Sequence, residues 1–110
     1  MVEETKKFDL NKAPVDLVPP TFIESVATVL GFGAIKYGRD NWRNGLEYGR
    51  TYAAALRHLY AWWQGEDFDK ESGLHHLDHA ITNLMFLKEW SNTGRGTDNR
   101  FKHAQLPPTE

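Results

Sequence analysis

Residues 50–91 read RTYAAALRHLYAWWQGEDFDKESGLHHLDHAITNLMFLKEWS, and the fold turns on this stretch. Two runs of helical periodicity flank an acidic connector. In the first, from about Arg50 to Gln64, the residues Tyr52, Leu56, Leu59 and Trp63 share one apolar face, and Gly65 stands where a C-terminal cap glycine belongs. In the second, from about Leu74 to Ser91, Leu77, Ile81 and Leu84 cluster at 100° per residue with Leu74 at their margin. The connector GEDFDKESG is short enough to make the two helices antiparallel neighbours.

Toward the N-terminus a further helix is predicted from about Thr21 to Tyr37, with Ile23, Val26, Ala27, Leu30 and Ala34 as its buried stripe. Thr21 and Glu24 have the spacing of a capping box. Gly31 and Gly33 each cost about 1 kcal/mol against Ala inside a helix, so a kink or the close approach of another backbone is expected to compensate. Residues 1–20, with Pro14, Pro19 and Pro20, read as an extended arm; 38–49 reads as a loop; and 92–110, with Gly94, Gly96, Pro107 and Pro108, reads as a polar tail, loose or ordered only by a partner chain. No strand-like alternation of useful length and no repeat occurs. The expected fold is all-α, a small bundle of three main helices over residues 21–91. Three amphipathic helices make a thin bundle, and a second copy of the chain is expected to complete it as a homodimer or tetramer.

Composition agrees with one small domain: 110 residues, 40% hydrophobic, 25% charged. With no cysteine, the chain has no disulfides, no cysteine-ligated zinc and no thiol nucleophile, so a metal would have to be held by His, Asp, Glu or Asn. A net charge of −2 without a basic run argues against nucleic acid as a partner. No stretch approaches the ~20 apolar residues of a membrane span, and the N-terminus has no apolar signal core, so a cytoplasmic protein is expected. Aromatic residues make up 13% of the chain, with four Trp, more than a small helical core commonly needs, which points some rings toward an interface or a ligand.

Four of the five histidines lie between positions 58 and 79. His76, His79 and Asn83 form one ridge at i, i+3 and i+7, and antiparallel packing would bring His58 across to meet them. His75 and Asp78 fall on the other side and read as surface residues. The connector offers Glu66, Asp67, Asp69 and Glu71 as oxygen donors, so the constellation reads as a mixed nitrogen and oxygen metal site. Hydrogen-bonded structural histidines are the competing reading. An EF-hand calcium loop does not fit, because it wants Gly where Ser72 stands and Glu where Asp78 stands. Before these helices, KYGRDNWRNG packs Lys36, Arg39, Asn41 and Trp42 into a Gly-bounded loop, where cations, an indole and an amide suit a nucleotide. The same residues also read as a turn with Trp42 tucked into the core. Arg57 reads as a solvated arginine or as a phosphate contact.

The arm KFDLNKAPVDLVPP, the loop FGAIKYGRDNW and the run AAALRHLYAWWQGEDFDKESGLHHLDHAITNLMF together resemble the phage family of dATP/dGTP diphosphohydrolases, a MazG-like (MazZ-type) group, over residues 6–90. The resemblance implies hydrolysis of purine deoxynucleoside triphosphates to monophosphate and pyrophosphate, in the cytoplasm of a phage-infected bacterium. The wider all-α group holds magnesium with E-x-x-E on one helix and E-x-x-D on the next. Laid onto this chain, those positions are Ala55 and His58, then His76 and His79, none a carboxylate. Imidazole suits Mn, Fe, Co, Ni or Zn better than Mg. Either the site has changed its divalent metal and takes oxygens from Asp69 and Glu66, or the fold binds a nucleotide, or another protein, without cutting. The first is the expectation, with His58, Asp69, His76 and His79 as ligands and Glu66 as the catalytic carboxylate. Lys36, Arg39, Asn41, Trp42, Arg57 and Asn83 are expected to hold the substrate.

Overall fold

The computed structural model describes residues 11–102; the first ten residues of the arm and residues 103–110 of the tail lie outside the described part. The described part holds three α-helices, α1 (Pro20–Tyr37), α2 (Tyr48–Trp63) and α3 (His76–Thr93), with a short 3-10 turn at Val15–Leu17 before α1 and another at Asn41–Asn44 between α1 and α2. Among the described residues there is no strand, and the fold is all-α as predicted. Helix α3 is the middle element: α2 packs antiparallel along it, and α1 also packs on it, with Phe32 edge-on to His79.

Each boundary has a local cause. Pro20 takes the first turn of α1, where a missing N–H is harmless, and the extended Pro19 precedes it. The capping box at Thr21 and Glu24 therefore does not form: Thr21 already lies inside the helix, and no side chain caps the end. Helix α2 begins two residues earlier than its apolar period suggests. Two of its first-turn N–H groups find partners in the C-terminal segment, Tyr48 N on Thr97 O at 2.9 Å and Gly49 N on Asn99 Oδ1 at 2.8 Å. Helix α3 begins at His76 because His75 is its cap, its Nδ1 accepting from Leu77 N at 3.0 Å. His75 and Asp78, expected on the surface, are half-buried. Gly94, in the left-handed conformation at φ 73°, ends α3.

The helices do not turn their most apolar faces inward. Among the described residues the buried side chains are Thr51, Ala55, His76, Ala80, Thr82 and Trp90. Small residues line the α2–α3 seam because they let two helix backbones lie close, and the imidazoles occupy one end of that seam. Of the expected α2 stripe, Leu56 and Leu59 are half-buried while Tyr52 and Trp63 are exposed, Trp63 at 79%. Helix α1 has no buried residue; Ile23 and Ala27 of its expected stripe are exposed, and Ile35 is 90% exposed. On α3, Leu84 is exposed and Thr82 has taken an interior place. Among the described residues nothing lies within 4 Å of a Cβ placed on Gly31 or Gly33, so no close approach there offsets their helical cost of about 1 kcal/mol each.

At the other end of the seam the surplus aromatics form a pile. Trp42 stacks on Phe86 (5.1 Å between centroids), Phe86 on Trp90 (5.6 Å) and Trp90 on Tyr48 (6.4 Å). Arg43 covers the free face of Trp42, and Arg100 lies over Tyr48. The Trp90 indole donates to Trp42 O at 2.9 Å, so the ring that is 1% exposed has its one polar atom satisfied.

This pile also holds the segment after α3, which was expected to be loose. Residues 94–100 run back as a strap beside the start of α2, with Thr97 N donating to Leu46 O at 3.0 Å and Glu47 pairing with Thr97 in a parallel bridge. A Cβ on Gly96, which has φ +76°, would lie 2.7 Å from Leu46 O. Only glycine permits that approach.

Candidate metal centre

The imidazoles meet where α2 and α3 end their shared seam. His58, in the last turns of α2, presents Nδ1 to His76 Nδ1 at 2.9 Å. Its ring lies parallel to His79 with centroids 4.4 Å apart. His76 and His79 lie three positions apart in the first turns of α3 and therefore share one face. The connector folds over them. Glu66 N donates to Ala61 O, Asp69 N to Leu74 O, and His76 N to Asp67 O, all at 3.0 Å or less. These bonds return the chain onto the start of α3, bringing carboxylates to a helix N-terminus, where the helix dipole favours negative charge.

Glu66 Oε2 lies 3.5 Å from His76 Nε2, and Asp69 Oδ2 lies 3.8 Å from His79 Nε2. Ser72, which the sequence did not single out, ties the second pair together. Its amide and hydroxyl both donate to Asp69 Oδ2, at 2.9 and 2.8 Å. With the hydroxyl proton committed to Asp69, Ser72 Oγ accepts from His79 Nε2–H at 2.7 Å and from Leu74 N at 3.1 Å. That arrangement fixes the Nε2–H tautomer of neutral His79 and leaves its Nδ1 with a lone pair. The D-x-x-S spacing at Asp69 and Ser72 is the signal that could have revealed this turn.

Burial holds the His58 imidazole below its usual range, assisted by the neighbouring His79 and His76. Burial also lowers His79, against the pull of Asp69. For Asp69, burial pushes upward, but the two hydrogen bonds from Ser72 outweigh it and hold the carboxyl below its ordinary value. Neutral imidazoles beside an ionised carboxylate are the protonation states that metal ligation requires.

The donor set fits a cation. One ligand atom from each of His58, Asp69 and His76 can be chosen so that all lie within 4.8 Å of one another, so this group could hold a metal ion. His76 Nε2 is fully buried and has no hydrogen-bond partner. Nitrogens 2.9 Å apart can share one proton; they also match the ~3 Å spacing of adjacent ligands at right angles on an ion with bonds of about 2.1 Å.

One helical turn from the histidines a groove of about 660 Å³ opens between α2 and α3. Arg57 and Asn83 line it nearest the centre, then Phe86 and Arg50, and Leu46 with Asn99 of the strap at its far end. Among the described residues no carboxylate lines it. Of the other expected substrate residues, none lines the groove or meets the histidines: Lys36 lies 5.4 Å from the Tyr37 ring centroid, Arg39 and Asn41 are exposed, and Trp42 is in the aromatic pile.

Residues 2–100 match the family described as dATP/dGTP diphosphohydrolase, N-terminal. The chain belongs to that family. A dATP/dGTP diphosphohydrolase of Salmonella phage PMBT28 is 44% identical over 101 residues, which cover 92% of this chain and 34% of the phage protein. The chain thus spans about a third of the length of the curated relative it matches. No solved structure matches it. The family match takes in both sides of the histidine centre and the whole strap, up to Arg100.

Proposed function

We propose that this chain is a metal-dependent hydrolase of purine deoxynucleoside triphosphates, dGTP and dATP, with phage nucleotide-pool metabolism as its setting and the bacterial cytoplasm as its location. The helical span 21–91 is the domain assigned this activity, between the arm 1–20 and the tail 92–110. The observation that carries the reading is the buried His76 Nε2, which has no hydrogen-bond partner among the described residues, within a cluster of three imidazoles and Asp69, in a chain of this family. Neutral nitrogen beside carboxylate favours Mn, Fe, Co, Ni or Zn over Mg.

His58, His76 and Asp69 would hold the ion, with His79 stacked beside them. Such an ion supplies charge neutralisation for phosphate oxygens and makes water a competent nucleophile near neutral pH. The chain's own groups do the rest. Glu66, facing His76, orients the attacking water and accepts its proton. Ser72 keeps Asp69 and His79 in place. Arg57 and Asn83 hold the phosphates beside the centre. Water oxygen bonds to the α-phosphorus, the bond from that phosphorus to the bridging oxygen breaks, and pyrophosphate leaves with monophosphate as the other product.

A second copy of the chain belongs to the same proposal. The exposed Phe22, Ile23, Phe32 and Ile35 of α1 and the exposed Tyr52, Tyr60 and Trp63 of α2 support it, since a monomer leaves them in water. Lys36, Arg39 and Asn41, all exposed, enter as groups serving a neighbouring copy's site, whereas Trp42, covered by Phe86 and Arg43, serves the aromatic pile. The alternative, a module that binds nucleotide or protein without cutting, is favoured by one fact: the relative is about three times as long as the matched segment. Incubating purified protein with dGTP and dATP under a panel of divalent metals tests the proposal. Monophosphate and pyrophosphate are the expected products, and their absence with every metal refutes it.

A further inference from the structure

The groove beside the histidines carries charge that nothing among the described residues answers. Arg50 and Arg57 both line it, and among the described residues neither guanidinium makes an ion pair or a side-chain hydrogen bond. Seven positions apart on α2, they stand about 10 Å apart along the helix and within about 20° of one face. With no carboxylate in the lining, the groove is a cationic slot of a size ordinary for small-molecule sites. Its two ends differ. The near end has Arg57 and Asn83, one turn from His58 and His79 respectively or closer. The far end has Leu46, Phe86, Arg50 and Asn99.

Asn99 is the informative residue. Gly49 N–H donates to its Oδ1, which sets the amide orientation and leaves the NH2 group without a partner among the described residues, beside the groove. The strap that carries it is fixed by Thr97, by the Gly45–Gly96 contact and by Arg100 over Tyr48. A donor amide held on a rigid strap, an apolar wall and a free guanidinium suit the edge and face of a purine.

We infer that this groove is a polarised nucleoside polyphosphate site: Arg57 with Asn83 takes the phosphate chain at the histidine end, and Arg50 with Asn99 of the strap takes the purine at the far end. The inference rests on the proposed nucleotide substrate, but its test involves no turnover. Wild-type chain is titrated calorimetrically with inorganic tripolyphosphate and with dGTP, in chelator at ~0.15 M salt, where charges about 10 Å apart are largely screened. Arg57→Gln is expected to weaken both probes about tenfold or more, the loss of a charge-assisted contact. Arg50→Gln is expected to weaken dGTP about tenfold and tripolyphosphate by no more than about threefold. Asn99→Asp, which keeps the acceptor for Gly49 N–H and removes the donor, is expected to follow Arg50→Gln; should it lower the melting temperature, Arg50→Gln decides the far end alone. No binding of dGTP by the wild type, no effect of Arg57→Gln, or an equal effect of Arg50→Gln on both probes overturns the inference. Binding that follows the expected pattern without any turnover under metals would leave this site standing and remove only the hydrolysis.

Discussion

His76→Leu separates a ligand from a structural histidine, because the two roles predict opposite effects on stability. His76 is 5% exposed, and its Nε2, 3.5 Å from Glu66 Oε2, makes no hydrogen bond among the described residues. Without metal that orphaned atom costs about 1–3 kcal/mol, and a leucine of similar volume removes the cost. The same change deletes the 2.9 Å contact with His58 Nδ1, worth about 1 kcal/mol, but the half-buried His58 can turn to water instead. The difference leaves the variant equal to the wild type or up to about 2 kcal/mol more stable in chelator. With metal at about 100 times its dissociation constant the wild type gains about 2.7 kcal/mol, and the variant should gain almost none. Urea unfolding followed by tryptophan fluorescence reads both, through the buried Trp90. At a slope of about 1–3 kcal/mol/M the metal should move the wild-type midpoint by about 1–2.5 M. A loss above about 2 kcal/mol in chelator would mark His76 as structural, and a metal shift retained in the variant would exclude it as a ligand; either result refutes the reasoning.

Three further outcomes follow from the same geometry. Ser72→Ala removes the hydroxyl that holds Asp69 and fixes the His79 tautomer, and should weaken metal binding about 10–100-fold by calorimetry, with Ser72→Thr restoring most of it. The pH dependence follows from the depressed imidazoles of His58 and His79: above their ordinary 6.5 neither folded nor unfolded chain protonates them, and as pH falls below it the unfolded chain takes up protons first. Stability in chelator should therefore decline from pH 7.5 toward 5 as the folded values are approached, with Asp69 adding a further loss below its ordinary 3.8; a melting temperature that is flat or rises on acidification contradicts this. Gly96→Ala forces a side chain into φ +76° and against Leu46 O, so the strap should detach at a cost of about 1 kcal/mol or more, and trypsin should cut at Arg95 and Arg100 faster than in the wild type.

Helix number, approximate ends and antiparallel order were legible in the sequence, because periodicity and turn residues act locally. The inward faces were not. Reading the most leucine-rich stripe as the core assumes a helix surrounded by apolar neighbours, whereas the α2–α3 seam needs small side chains such as Thr51, Ala55, Ala80 and Thr82 for the backbones to approach. The meeting of His58, His76 and His79 could be read from spacing plus one packing assumption, since all three lie on helices joined by a short connector. Ser72 was legible only as the D-x-x-S turn with Asp69, its contact with His79 depending on the fold of the connector, and Arg50 and Asn99 were not legible, since the groove they line joins α2 to a strap about 50 residues away.

The sequence by itself determined three helices, the absence of thiol ligands and the histidine ridge, all matters of residue type and period. Only the tertiary structure decided where the aromatic residues go, which face each helix turns inward, and that the polar tail returns as a strap. Those depend on which surfaces meet: a buried tryptophan finds its acceptor at Trp42 O, and α2 obtains its missing first-turn acceptors from residues that follow the last helix.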